Sequence, residues 1–176
     1  MSPPHFTRTR DNYLISTDPT LLSPTSIAAA FSHPSMYWCT PLPLPKLQLL
    51  LSSSLCLGLY RSTAAHPQPI GLGTGPKPEQ IGLARLVTDN VTFAYLTDVY
   101  VVEEEQGKGL GTWLTRCVGE VLEGMEGLRR AMLVTGEGGK EGFYERELGM
   151  ERLVQGRKGL VVMNRLGKGA AEMLKD

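Results

Sequence analysis

Gln106-Gly107-Lys108-Gly109-Leu110-Gly111-Thr112 is the stretch on which the reading of this chain turns. It follows a hydrophobic run, Ala94 to Val102, and opens an amphipathic one, Leu110 to Leu122. A strand that turns through glycines into a helix start gathers backbone N–H groups at one spot with few side chains in the way. The first-turn N–H groups have no partner inside the helix, and the helix dipole adds positive potential. Such a turn is an anion cradle, so a phosphorylated ligand is expected there.

Three Gly-rich phosphate motifs compete for the stretch. The dinucleotide fingerprint needs G-x-G-x-x-G, but Thr112 stands where its third glycine belongs. The P-loop needs G-x-x-x-x-G-K-[ST], but Gly139-Lys140 is followed by Glu141 and Gly167-Lys168 by Gly169. The third pattern, [Gln/Arg]-x-x-G-x-[Gly/Ala], is met by Gln106, Gly109 and Gly111. Upstream stands Tyr95-Leu96-Thr97-Asp98-Val99-Tyr100-Val101-Val102, and downstream Gly142-Phe143-Tyr144-Glu145-Arg146-Glu147-Leu148-Gly149-Met150. In these three elements, in this order, the chain resembles the GNAT superfamily of acyl-CoA-dependent N-acyltransferases. Tyr13 to Asp18, Tyr37-Trp38 and Ser54 to Tyr60 resemble a small bacterial and fungal branch of it. The resemblance spans about the whole chain and is strongest from Ile81 to Met150. It departs at Glu103-Glu104-Glu105, where the branch has Pro and an aromatic, and at the inserted Gly136-Glu137-Gly138-Gly139. The Glu run is read as a solvated turn that weakens polyanion affinity at low salt.

A chain of 176 residues is one domain by size. With 41% hydrophobic and 20% charged residues it has an ordinary globular composition. The formal net charge of zero argues against nonspecific nucleic-acid binding. Cys39, Cys56 and Cys117 form no C-x-x-C pair, and His5, His33 and His66 lie far apart. No metal site is expected, and unpaired cysteines suit a reducing, cytoplasmic setting. The most apolar stretch, Leu47 to Tyr60, is broken by Ser52-Ser53-Ser54 and too short to span a membrane. No apolar run follows Arg8 and Arg10, so no signal peptide is expected.

Residues 1–10 are expected to be a mobile tail, with 11–176 as a single domain. Tyr13 to Ser16 reads as the first strand. Ser23-Pro24 starts a helix through Phe31, with Ser as N-cap and Pro at the first position. Pro41, Pro43 and Pro45 form a stiff turn before a helical face of Leu47, Leu50 and Leu51. Leu55 to Tyr60 is a strand, Ser62 to Gln80 a Pro- and Gly-rich loop, and Ile81 to Val87 a strand. Val91 to Val102 reads as a central strand buried on both faces. Leu110, Trp113, Leu114, Cys117, Val118, Val121 and Leu122 recur at helical steps. Ala131 to Thr135 is a strand and Phe143 to Leu148 a short helix. Val154 and Leu160 to Asn164 close a hairpin through Gly156 and Gly159. Consecutive strands followed by alternation predict an α/β or mixed α+β domain with helices on both faces of one sheet. The resemblance implies a central mixed, mostly antiparallel sheet in which two neighbouring parallel strands splay and the cosubstrate lies in the gap.

Acetyl transfer to an amine needs a deprotonated amine, whose pKa is about 10.4 as an alkylammonium. It also needs donors for the developing oxyanion and an acid for the leaving thiolate. The resemblance places Tyr144 beside the sulfur as that acid; the alternative is a core aromatic beside Phe143. Asp98 is the candidate base, because a carboxylate in an apolar strand is costly unless paired or used. Pairing with Arg85, or orientation of the amine without proton transfer, is equally open. By the resemblance, backbone groups of Tyr100, Val101 and Val102 pair with the pantetheine amides of acetyl-CoA. Gln106, Gly107, Lys108, Gly109, Leu110, Gly111 and Thr112 hold its pyrophosphate, and Phe143 packs or walls the pantetheine. Tyr37, Trp38, Tyr95 and Thr97 are acceptor-pocket candidates, with 32–46 and 62–80 as the acceptor loops; for Tyr37-Trp38 a core corner packed against the leucines of the second helix is equally open.

The leading reading is therefore an acetyl-CoA-dependent N-acetyltransferase acting by direct attack of a small-molecule primary amine, as a monomer or homodimer. The alternatives are an acyl-CoA-binding sensor with little catalysis, a protein or peptide amine as acceptor, and a nucleotide-binding protein with a coincidental loop.

Overall fold

A computed structural model describes residues 5–36, 39, 41–62, 77–136, 138–155 and 160–166. Eight strands form one sheet. They are β1 (Thr7–Arg10), β2 (Tyr13–Ser16), β3 (Leu55–Arg61), β4 (Glu79–Thr88), β5 (Phe93–Val101), β6 (Arg130–Gly136), β7 (Glu151–Gln155) and β8 (Leu160–Leu166). Their order is β1-β2-β3-β4-β5-β6-β8-β7. Every neighbouring pair is antiparallel except β5 and β6, which run parallel. The α-helices among the described residues are α1 (Pro24–Phe31), α2 (Leu44–Ser52), α3 (Leu110–Gly124) and α4 (Glu141–Leu148). The expected mixed, mostly antiparallel sheet with helices on both faces is present.

The two faces bury separate cores. On one, Leu110, Leu114, Cys117, Val118 and Val121 of α3 pack with Leu148 of α4 against Leu57, Ala84, Ala94 and Leu96. The helical steps of three and four put those α3 residues on one stripe. On the other, Ile27 and Phe31 of α1 and Leu47 and Leu51 of α2 cover Cys56 and Leu83. Ser23 caps α1 by accepting the Ser26 N–H, with Pro24 at the first position. Pro45, expected in the preceding turn, instead lies in the first turn of α2, where its missing N–H costs nothing.

Residues 7–10 correct the expected mobile tail. Thr7 to Arg10 pair with Ser16 to Tyr13 through a two-residue turn in which Asp11 adopts φ +52°. An edge strand gains its hydrogen bonds from β2 and needs no apolar face. Phe6 anchors its start: its N–H donates to Thr17 Oγ1 at 2.8 Å.

The central strand is also not buried on both faces. Ala94 and Leu96 enter the α3 core, whereas Tyr95 and Thr97 are half-buried on the opposite face. The register of β5 with β4 slips between Leu83–Tyr100 and Arg85–Thr97, so Asp98 and Val99 together oppose Ala84. This β-bulge puts Asp98 at φ +51°. Regular alternation would send its carboxylate into the α3 core beside Leu96. The bulge turns it to the α1/α2 face, where it meets Arg85, the residue paired with Cys56.

Candidate active site

β5 and β6 pair only from Phe93–Arg130 to Leu96–Leu133. Beyond Leu96 they separate, and a cleft of about 640 Å³ opens between them. Its wall includes Tyr95, Thr97, Asp98, Val101, Lys140 and Tyr144. The splay thus brings both candidate catalytic side chains and two acceptor-pocket candidates to one opening. A smaller cavity of about 340 Å³, bounded by α1 and the end of β5, shares Ser35, Met36, Tyr100 and Val101 with it. Tyr37 and Trp38 lie outside the described residues, as do most of the 62–80 loop, the 156–159 turn and Glu137.

Tyr144 sits in the first turn of α4, 8% exposed, edge-on to Phe143 with ring centroids 5.3 Å apart. Burial pushes its phenol above the ordinary value, so it stays protonated at neutral pH. Phe143 packs on the α3 core under Arg146 and is not among the residues lining the cleft. Asp98 Oδ2 accepts from Arg85 Nε at 2.7 Å and Oδ1 from Thr97 Oγ1 at 3.3 Å. Arg85 Nη1 in turn donates to Ser54 Oγ at 3.0 Å. The pairing reading of Asp98 is therefore realised, with the carboxylate still on the cleft wall.

The cradle has the expected backbone. Gly107 and Gly109 adopt φ +78° and +71°, a region that strains side-chain-bearing residues, and a Cβ at either would meet nothing within 4 Å. The requirement for glycine is conformational, and the space above the loop is open. The first helical hydrogen bond is Trp113 N–H to Gly109 C=O. The N–H groups of Leu110, Gly111 and Thr112 precede it and have no backbone acceptor among the described residues. They are the orphan donors that an anion would take.

Two expectations about the strand and loop are corrected. The Val102 N–H already donates to Ile81 C=O at 2.9 Å, so Val102 faces β4 and cannot also pair in the gap. Alternation turns Val101 the other way, and its carbonyl accepts from Gln106 Nε2 at 2.8 Å. By the same alternation Tyr100, opposite Leu83, faces β4. The second correction concerns the Glu run. Glu105 is 2% exposed and is no solvated turn residue. It receives Lys108 Nζ at 2.7 Å, Tyr13 OH at 2.9 Å and Arg61 Nη1. The Lys108 ammonium holds the Glu105 carboxyl below the usual range, with help from Tyr13 and Arg61. Lys108 therefore offers the cradle its backbone, while its charge goes to Glu105.

A depressed folded-state value means that Glu105 stabilises the fold above the ordinary carboxyl range. That stabilisation is lost as pH falls through the folded value. Glu105→Gln is expected to lower the melting temperature at pH 7 by about 3–6 °C, from roughly 1.5 kcal/mol of charge-assisted hydrogen bonding. Melting curves on both proteins should converge as pH falls through the depressed folded-state value of Glu105, where the wild-type carboxyl protonates as well.

Sequence reasoning missed Lys140 as a cleft residue, the Gln106 side chain on Val101, and the buried Glu105 cluster. An inserted Gly-rich turn before α4 was the one sequence signal for Lys140.

Comparison with known proteins agrees with this geometry. Residues 56–150 match the model of the acetyltransferase (GNAT) family. The inferred acetyltransferase FG08082 of Gibberella zeae is 42% identical over 171 residues, 92% of this chain and 93% of that one. A GNAT-family crystal structure from Xanthomonas campestris pv. campestris, also an inferred acetyltransferase, aligns with TM-score 0.61 at 28% identity. That alignment covers 90% of this chain and 96% of the other. Spermidine N-acetyltransferase from Vibrio cholerae, solved with CoA and spermine, shares the fold with TM-score 0.62 at 14% identity, over 89% of this chain and 96% of its own. The chain belongs to the GNAT family of acetyltransferases. No described helix is long and apolar enough to cross a membrane.

Proposed function

We propose that this protein transfers the acetyl group of acetyl-CoA to a primary amine of a small molecule by direct attack. The observation that carries this reading is the juxtaposition of Tyr144, Asp98 and the open edge of Val101 on one cleft, next to a glycine cradle whose first-turn N–H groups have no backbone acceptor among the described residues. The bound thioester supplies an activated acyl carbon and a thiolate leaving group. Gly107 to Thr112 hold the pyrophosphate with backbone N–H groups, and the Val101 backbone aligns the pantetheine arm once Gln106 gives way. The Tyr144 hydroxyl gives its proton to the departing sulfur as the C–S bond breaks and the new C–N bond forms. Asp98, fixed by Arg85, orients the acceptor and receives the amine proton directly or through water.

Direct attack is favoured over an acyl-cysteine route by the thiols themselves. Burial pushes Cys56 up to about 12 and Cys117 to about 11, and raises Cys39 as well. A thiol that stays protonated is a poor nucleophile. The Vibrio cholerae neighbour, solved with CoA and spermine, supports both the cosubstrate and an amine acceptor.

Melting temperature with saturating acetyl-CoA, against ATP and NAD, tests the first half. At about a hundredfold Kd the ligand adds roughly 2.7 kcal/mol, a rise of about 5–10 °C. A rise with ATP or NAD alone overturns the cradle assignment. Thiol release from acetyl-CoA with a panel of primary amines, set against a lysine-bearing peptide, tests the second half. Turnover with the peptide alone overturns the small-molecule acceptor.

A further inference from the structure

Four cationic side chains stand on β1, β3 and the cradle loop, and three of them are paired with carboxylates. Arg8 contacts Glu120, Arg61 contacts Glu79 and Glu105, and Lys108 contacts Glu105. Arg10 differs. Its Nη2 donates to the Lys108 carbonyl at 3.3 Å, in the middle of the cradle loop. Its guanidinium lies 4.7 Å over the ring of Trp113. No carboxylate partners it among the described residues. Trp113 belongs to the helical turn whose preceding N–H groups form the cradle. The β1–β2 hairpin therefore delivers a permanently charged fork to the flank of the phosphate site.

A guanidinium whose face is stacked on an aromatic ring presents its edge, and that edge matches a phosphate with two parallel hydrogen bonds. Backbone donors at a helix start suffice for a pyrophosphate. They leave unmet the separate phosphomonoester that coenzyme A carries at the 3′ position of the ribose bearing that pyrophosphate. We propose that Arg10, braced by Trp113, binds this 3′-phosphate and makes the protein select coenzyme A over its 3′-dephospho form. The inference rests on the cradle reading above. It also assigns a role to the strand that the sequence suggested was a tail.

The test is calorimetric titration of wild type, Arg10→Gln, Arg10→Lys and Trp113→Leu with CoA and with 3′-dephospho-CoA. Wild type is expected to bind CoA about tenfold tighter than the dephospho form, the scale of one charge-assisted pair. Arg10→Gln should weaken CoA by about tenfold and leave 3′-dephospho-CoA unchanged, bringing the ratio close to one. Arg10→Lys should retain part of the preference, and Trp113→Leu should lose part of it. Equal affinity of wild type for both ligands overturns the proposal, as does an Arg10→Gln variant weakened equally toward both. If wild type binds neither ligand, the cradle reading itself fails, and the proposal falls with it.

Discussion

Tyr144→Phe is expected to lower kcat by about a hundredfold or more while leaving acetyl-CoA affinity and melting temperature close to wild type. General acid catalysis by a positioned side chain contributes on the order of 10²–10⁴ in rate. The substitution removes one oxygen from a ring otherwise held by packing against Phe143 and the α3 core. Stopped-time assays of thiol release, with thermal melts on the same samples, separate the two effects. The pH profile adds a sign. The acid must be protonated to act, and burial raises the phenol above its ordinary value of about 10. Loss of rate from Tyr144 ionisation is therefore confined to pH above that value, leaving the neutral-to-alkaline rise to deprotonation of the acceptor amine. An unchanged kcat in Tyr144→Phe would remove the tyrosine from the mechanism and favour a binding protein over a catalyst.

Arg85→Ala is expected to give the largest loss of stability. Arg85 and Asp98 side chains are 13% and 8% exposed, and the Nε–Oδ2 contact is 2.7 Å. Removing the guanidinium strands a carboxylate away from water, which costs about 3–5 kcal/mol. For a chain of this size that is a fall of roughly 10 °C in melting temperature. Asp98→Asn on the Arg85→Ala background should recover much of the loss. Asn removes the charge and tolerates the left-handed φ that the bulge imposes. A double variant no more stable than Arg85→Ala would show that the loss does not come from a stranded carboxylate.

The contrast between these residues shows what can be read from sequence. Ser23-Pro24 and the α3 stripe are local signals, set by capping and by period, and both elements sit where their residues put them. Gly107 and Gly109 were legible as a cradle because their backbone conformation requires glycine within the loop itself. Tyr144 and Asp98 could be singled out by residue type, but their meeting depends on where β5 and β6 part. That is a property of the whole sheet. The Asp98 bulge has no mark in Thr97-Asp98-Val99, since it arises from the register with β4. Glu105 looked solvated within Glu103-Glu104-Glu105 because its partners Tyr13 and Arg61 lie 92 and 44 positions away. Strand β1 was missed because an edge strand held by main-chain pairing carries no hydrophobic alternation.

The parting of β5 and β6 also leaves an unpaired strand edge within the sheet. An unpaired strand edge at the border of a sheet invites other chains to add to it, and that is a familiar route to aggregation. Here the exposed edge lies inside the sheet, between two strands that still pair at their other ends, and Gln106 occupies the Val101 carbonyl. An added strand would need room between β5 and β6, and those two remain joined from Phe93–Arg130 to Leu96–Leu133. The gap is thus closed at one end, unlike the free border of a sheet.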